Sequence, residues 1–161
     1  MMLSMHACVG AAIGASTNNP FATIPAALVS HLILDSFPHT DIAHLAPLNE
    51  DGTMSNIIPK WVPIVVIFDL LLTIVIVTLG VLTYPERATS IILGAFFGIL
   101  PDFQYAPKFG PWLYKQFWYK GYAWLHENGH CHFPLSYAQR FYGFHPQILC
   151  LIGGVAWLFH C

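Results

Sequence analysis

Apolar positions fall along this chain in five blocks, separated by clusters of turn-forming residues. The longest block, Val62 to Leu82, is 21 residues with one ionisable side chain, Asp69. At about 1.5 Å per residue a helix of that length reaches ~31 Å, the thickness of a bilayer's hydrocarbon core, so the block predicts a transmembrane helix. Ala88 to Leu100 and Gln147 to His160 are apolar but shorter, which suits buried or tilted, partly inserted helices. Near the N-terminus, Met5 to Ser16 and Phe21 to Ser36 flank Thr17-Asn18-Asn19-Pro20. Asparagine suits a turn and proline a first helical position, so this pair predicts a helical hairpin.

Two stretches do not fit the helical pattern. Phe37 to Lys60 is rich in turn formers, while Asp102 to Pro146 holds 15 aromatic residues among its 45. Tryptophan and tyrosine beside Lys108, Lys115 and Lys120 suit the headgroup region, where amphipathic rings and cations are both stabilised. The stretch therefore predicts an interfacial layer and not one tidy amphipathic helix.

Composition sharpens this picture. Charged residues make up 9% of the chain, against roughly 25% in an ordinary soluble domain, and 56% of residues are apolar. That excludes a soluble enzyme of usual make-up. A formal charge of −2 with six scattered Lys and Arg leaves no basic footprint for phosphates, which excludes nucleic acid as a partner. Cys8, Cys131, Cys150 and Cys161 form no CxxC pair, and Met1 to Ser16 lacks the positive charge of a cleaved signal peptide. The expectation is one all-α domain over residues 1–161: an integral membrane bundle of about five helices with an aromatic-rich interfacial layer, in contact with membrane lipid. If the third helix crosses and the fourth returns, Lys60, Lys108, Lys115, Lys120 and Arg140 share one side and Arg87 lies on the other. The positive-inside rule makes the crowded side cytoplasmic.

Four helices carry ionisable residues in register with small or polar ones. His6, Gly10 and Gly14 are four apart and share a face, and the glycines allow close approach of another helix. Gly94, Gly98 and Asp102 repeat the arrangement, although Pro101 can end the helix before Asp102. Ala27, His31 and Asp35 share a face of the second helix, and Asp69 stacks over Thr73 in the third. Hairpin topology brings His6, His31, Asp35, Asp69 and Asp102 towards one end of the bundle. Asp69 lies about 10 Å into its helix, where an uncompensated carboxylate costs several kcal/mol, so a bound cation would stabilise it. Two imidazoles and three carboxylates form a mixed N/O donor set for a divalent metal, zinc or manganese, and with bridging carboxylates for two ions. His39 and Asp41 are further candidate ligands, although Pro38-His39-Thr40-Asp41 also reads as a simple turn.

A second cluster, His126, Glu127, His130, Cys131 and His132, has the spacing HExxHxH. HExxH matches the zincin motif, but that motif needs a continuous helix, which Asn128-Gly129 interrupts. His126, His130 and His132 can instead complete the metal site, hold another ion, or be interfacial histidines among aromatics.

Ser30-His31-Leu32-Ile33-Leu34-Asp35, Gly98-Ile99-Leu100-Pro101-Asp102 and a histidine before a Gly-rich first helix together resemble the YdjM-like family of bacterial inner-membrane metal-dependent hydrolases. That family is more distantly similar to the zinc-dependent phospholipases C. The resemblance covers roughly residues 5–41 and 94–132, and it implies a multi-pass inner-membrane protein with metal roles for His6, His31, Asp35 and Asp102. Where the family reads LPDxDH, this chain has Leu100-Pro101-Asp102-Phe103-Gln104-Tyr105. Two functions follow: hydrolysis of a phosphate or carboxylic ester, such as a lipid's, or a non-enzymatic membrane protein with a structural metal site or an ion or proton path.

Overall fold

The computed structural model of the chain describes residues 2–39, 60–105, 109–129 and 144–161, and the regular elements among them are all helical. In chain order they are α1 (Leu3–Thr17), α2 (Pro20–Asp35), α3 (Val62–Thr83), α4 (Ala88–Ile99), α5 (Phe109–Leu113), α6 (Phe117–Gly129) and α7 (Phe144–Leu158). Short 3₁₀ turns, Pro85–Arg87 and Leu100–Tyr105, lead into and out of α4. The five apolar blocks are α1 to α4 and α7. Among the described residues the helices number seven rather than about five, because the aromatic stretch contributes α5 and α6.

The α1–α2 hairpin closes as its sequence dictates. Asn18 adopts the left-handed conformation, φ 44°, that asparagine tolerates best after glycine, and its N–H returns to the Gly14 carbonyl at 3.0 Å. The Asn19 side chain then accepts the Phe21 N–H at 3.0 Å, capping α2, and Pro20 supplies its first turn without an N–H to satisfy.

Helix α1 is the centre of the bundle. Alanine, glycine, serine and cysteine are spread round its whole circumference, and a helix without a polar face is stable when surrounded. From Ser4 to Ala15 every residue except Val9 is buried. On one side α1 meets α4 backbone to backbone: a Cβ on Gly10 would fall on the Gly94 carbonyl, one on Gly94 on the Gly10 carbonyl, and one on Gly14 on the Ser90 carbonyl. At the end of the seam a Cβ on Gly98 would lie 2.6 Å from the His6 carbonyl oxygen. The pairings 6 with 98, 10 with 94 and 14 with 90 run in opposite directions, so the helices are antiparallel and His6 sits beside the C-terminus of α4. Elsewhere around α1, α7 approaches through Gly154, whose Cβ would lie 3.2 Å from the Cys8 Sγ, and α2 is tied by Thr17 and Thr23 hydroxyls 2.6 Å apart.

Helix α3 packs against this core through Asp69, Thr73, Ile76 and Gly80 and turns the rest outward. It is long and apolar enough to cross a membrane, and 22% of its most apolar window is buried. Ile64, Ile67, Phe68, Leu71, Ile74 and Leu82 are each more than half exposed. Among the described residues α3 alone reaches a spanning length; α2 and α7, at 16 and 15 residues, are apolar but shorter.

A smaller core lies under the C-terminal end of α4. Leu100, Leu113, Tyr119 and Ala123 are buried there against Phe97, Phe109 and Tyr122. It folds α6 back over α2, where the Tyr122 hydroxyl donates to the Leu28 carbonyl at 3.1 Å. Burial, and after it the nearby negative charge of Asp35, pushes the Tyr122 phenol up from its ordinary pKa. The hydroxyl therefore stays protonated and able to donate.

Candidate metal centre

Antiparallel packing brings the ends of four elements to one place. His6 comes from the start of α1, His31 and Asp35 from the end of α2, Asp102 from the 3₁₀ turn after α4, and His126 from the last turns of α6. His31 and Asp35 are one helical turn apart, so the helix itself places them on one face.

Asp35 is the hub. Its Oδ2 lies 2.9 Å from His31 Nε2 and 2.9 Å from His126 Nε2, while its Oδ1 lies 3.1 Å from His6 Nε2 and 3.9 Å from His39 Nε2. The Nε2 atoms of His31 and His126 are 3.2 Å apart, and Asp102 Oδ1 is 3.7 Å from His31 Nε2. One donor atom from each of His31, Asp35, Asp102 and His126 falls within 4.8 Å of the others, and the four could hold a metal ion. Ligands at zinc's usual ~2.0–2.1 Å sit about 3.4 Å from one another in a tetrahedron, close to the separations seen here.

Neighbouring groups orient these donors. His31 Nδ1 lies 2.7 Å from the Gly98 carbonyl, which can only accept, so Nδ1 carries a proton and Nε2 faces Asp35 and His126. His126 Nδ1 accepts from Gln104 Nε2 at 3.0 Å, and Gln104 Oε1 accepts from the Tyr119 and Tyr114 hydroxyls at 3.2 and 3.4 Å. His126 Nε2 then donates to Asp35 Oδ2. A half-turn of the Gln104 amide would present its oxygen to a protonated Nδ1 instead, and the tyrosine hydroxyls can accept as well as donate. The same scaffold thus serves His126 with either nitrogen protonated.

Electrostatics also favour a cation. Two carboxylates face neutral-capable imidazoles in a nearly sealed space, and buried negative charge is costly unless paired. Both ring nitrogens of His6 and Asp102 Oδ2 are buried without a hydrogen-bond partner. His6 Nε2 comes within 3.1 Å of Asp35 Oδ1 but is not aligned for a hydrogen bond, and its ring stacks on His31 at 4.0 Å between centroids. Native structures rarely orphan such atoms without a reason.

Of the residues expected at the site, His6, His31, Asp35, Asp102 and His126 converge, with His39 at the edge. Asp69 does not join them. Its carboxylate accepts the N–H groups of Leu3 at 2.7 Å and Ser4 at 3.1 Å, so it caps α1, whose own N-cap residue, Met2, has no capping side chain. The compensation expected from a metal comes instead from two backbone donors at the positive end of a helix. Glu127 points away to the Tyr114 hydroxyl at 2.8 Å; α6 includes Asn128 and Gly129, so the interruption expected there is not seen, and His130, the second histidine of the HExxH spacing, lies outside the described residues. Asp41, His130 and His132 lie outside the described residues.

Gln104, Tyr119 and Tyr122 support the site although no motif marked them; the one signal was Gln104 standing where the resembled family has aspartate. No protein-family model, curated protein or solved structure matches the chain.

Proposed function

We propose that this chain is a membrane-embedded, metal-dependent hydrolase of phosphate or carboxylic esters, with a lipid as substrate and zinc or manganese as cofactor. The observation that carries this reading is the convergence of His31, Asp35, Asp102 and His126, with His6 stacked behind, in an otherwise apolar bundle. The resemblance to YdjM-like hydrolases points the same way through His6, His31, Asp35 and Asp102. A divalent ion held there supplies Lewis acidity and lowers the pKa of water.

The chain's own residues do the remainder. Asp35 gathers the imidazoles, and Gly98 and Gln104 fix their rotation. Asp102 is the opening: its side chain keeps 23% exposure, whereas those of His31 and Asp35 keep 0% and 2%. A shell closed on every side would suit a structural ion, and the partial exposure of the Asp102 side chain favours the enzyme. Exposed Trp112, Trp118 and Trp124 with Lys115 and Lys120 form the layer that would receive anionic headgroups. Helix α3, apolar and mostly uncovered, supports placement in a bilayer, because a core helix of a soluble protein would be enclosed. Helices α2 and α7 would flank it as tilted, partly inserted segments of an inner-membrane protein.

The test is metal analysis of detergent-purified protein, followed by chelation and assay on phosphomonoester, phosphodiester and carboxylic ester lipids. The expected result is activity that is lost with the metal, restored by zinc or manganese, and missing in His31→Ala. Protein that binds no metal at any loading, or binds it and hydrolyses none of these esters, would overturn the reading.

A further inference from the structure

The two oxygens of Asp35 face different histidines. Oδ2 is 2.9 Å from both His31 and His126, whereas Oδ1 is 3.1 Å from His6 Nε2 and 3.9 Å from His39 Nε2. His31 and His126, two members of the four-residue cluster, are on the Oδ2 side. On the other, His6 is entirely buried and neither ring nitrogen has a hydrogen-bond partner, although a buried imidazole ordinarily satisfies at least one. His39 is also buried, and its Nδ1 donates to the Phe37 carbonyl at 2.8 Å, which turns Nε2 towards Asp35. This is the arrangement that His31 has through Gly98: a backbone carbonyl holds one nitrogen and turns the other towards Asp35.

We infer that the centre is dinuclear, with a second divalent ion held by His6, His39 and Asp35 Oδ1, and Asp35 bridging it to the ion held by His31, His126 and Asp102. The inference rests on the reading of the first cluster as a metal centre. A carboxylate that bridges through its two oxygens sets ions ~3.5–4 Å apart, the spacing of two-metal hydrolytic sites. Imidazole nitrogen and carboxylate oxygen at both positions suit first-row ions such as zinc and manganese rather than calcium. Asp102 Oδ2, buried and without a partner, adds a second carboxylate oxygen beside the pair. The second ion explains why His6 stands unsatisfied against the glycine seam: its nitrogen is a ligand, not a packing residue.

The experiment is stoichiometry with a spectroscopic check on the full chain in detergent. Purified protein is stripped, loaded with manganese and measured for ions per chain and by electron paramagnetic resonance. Wild type should bind two ions with the spectrum of an exchange-coupled pair. His6→Ala and His39→Ala should each bind one and show the six-line spectrum of isolated manganese, with helicity unchanged. One ion per chain in saturated wild type, or two coupled ions retained in His6→Ala, would overturn the inference. If His6→Ala does not fold, the wild-type count and spectrum decide alone. A single ion with ester hydrolysis removes the second site and keeps the hydrolase; two coupled ions without hydrolysis do the reverse.

Discussion

His31 Nδ1 donates to the Gly98 carbonyl at 2.7 Å, and that bond joins the helix seam to the candidate metal centre. The carbonyl lies in the last turn of α4, where helical carbonyls lack intrahelical partners, and Pro101 three residues on has no N–H to offer it. Gly98 also lets α1 approach, since a Cβ there would press on the His6 carbonyl. One residue therefore sets the position of two histidines from different helices.

Replacing it should damage both stability and metal binding. In Gly98→Ala the new Cβ meets backbone, which cannot rotate aside, and overpacking of this kind costs about 1–3 kcal/mol. Thermal melting in detergent should fall accordingly, and metal titration should show weaker binding. Unchanged melting and affinity would mean that the seam is looser than its geometry indicates.

Asp69 calls for the opposite outcome at the metal. Because its carboxylate caps α1 through Leu3 and Ser4, Asp69→Ala should lose about 1–2 kcal/mol, the upper range for a lost helix cap, and keep its full metal content. Elemental analysis of the variant beside wild type decides: loss of metal without loss of helicity would return Asp69 to the ligand set.

The helices were legible because their cause is local. Apolar block length, Asn19-Pro20 and the four-residue spacing of Gly10 with Gly14 and Gly94 with Gly98 carry most of the bundle, and antiparallel pairing of those seams is enough to bring His6, His31, Asp35 and Asp102 together. A carboxylate within an apolar block calls for a compensating partner, and for Asp69 that partner is the N-terminus of α1 rather than the expected metal. The main-chain N–H groups that satisfy it belong to every residue and leave no mark in sequence. His126 was one histidine among several in an aromatic stretch; only the return of α6 over α2, held by Tyr122 and Leu28, selects it. Gln104 is marked in sequence only by standing where the resembled family has aspartate, because its supporting role needs Tyr114, Tyr119 and His126 at once.

Gln104 supplies a prediction with a built-in rescue. Removing the group that orients a ligating histidine typically weakens metal affinity by about 10–100-fold. Gln104→Leu should show that loss by competition with a chromophoric chelator while helicity holds. Gln104→Glu, whose carboxylate can accept from a protonated His126 Nδ1 as the half-turned amide would, should recover most of it. Equal affinity in all three proteins would show that His126 needs no support from this side, and equal loss in both variants would point to packing rather than orientation.

Sidedness tests the membrane reading through charge. Arg87 lies at the far end of the bundle from the site, where it donates to the Ala15 carbonyl at 2.8 Å near the end of α1. Lys115 and Lys120 are exposed beside the metal centre's end, on the aromatic layer. Lys108 and Arg140, expected on the same side, lie outside the described residues. With Lys60, Lys115 and Lys120 described at that end and Arg87 at the other, the membrane reading proposed above predicts, through the positive-inside rule, that the site's end faces the cytoplasm. In a background with the native cysteines changed to serine, Lys115→Cys should resist an impermeant thiol reagent added outside intact cells and react after permeabilisation. Glu86→Cys, exposed beside Arg87, should react from outside. The reverse pattern would put the metal centre on the outer face, where its substrate would be an ester of the outer leaflet. Reaction of neither position in intact cells would place both ends of the bundle inside, and α3 would not cross.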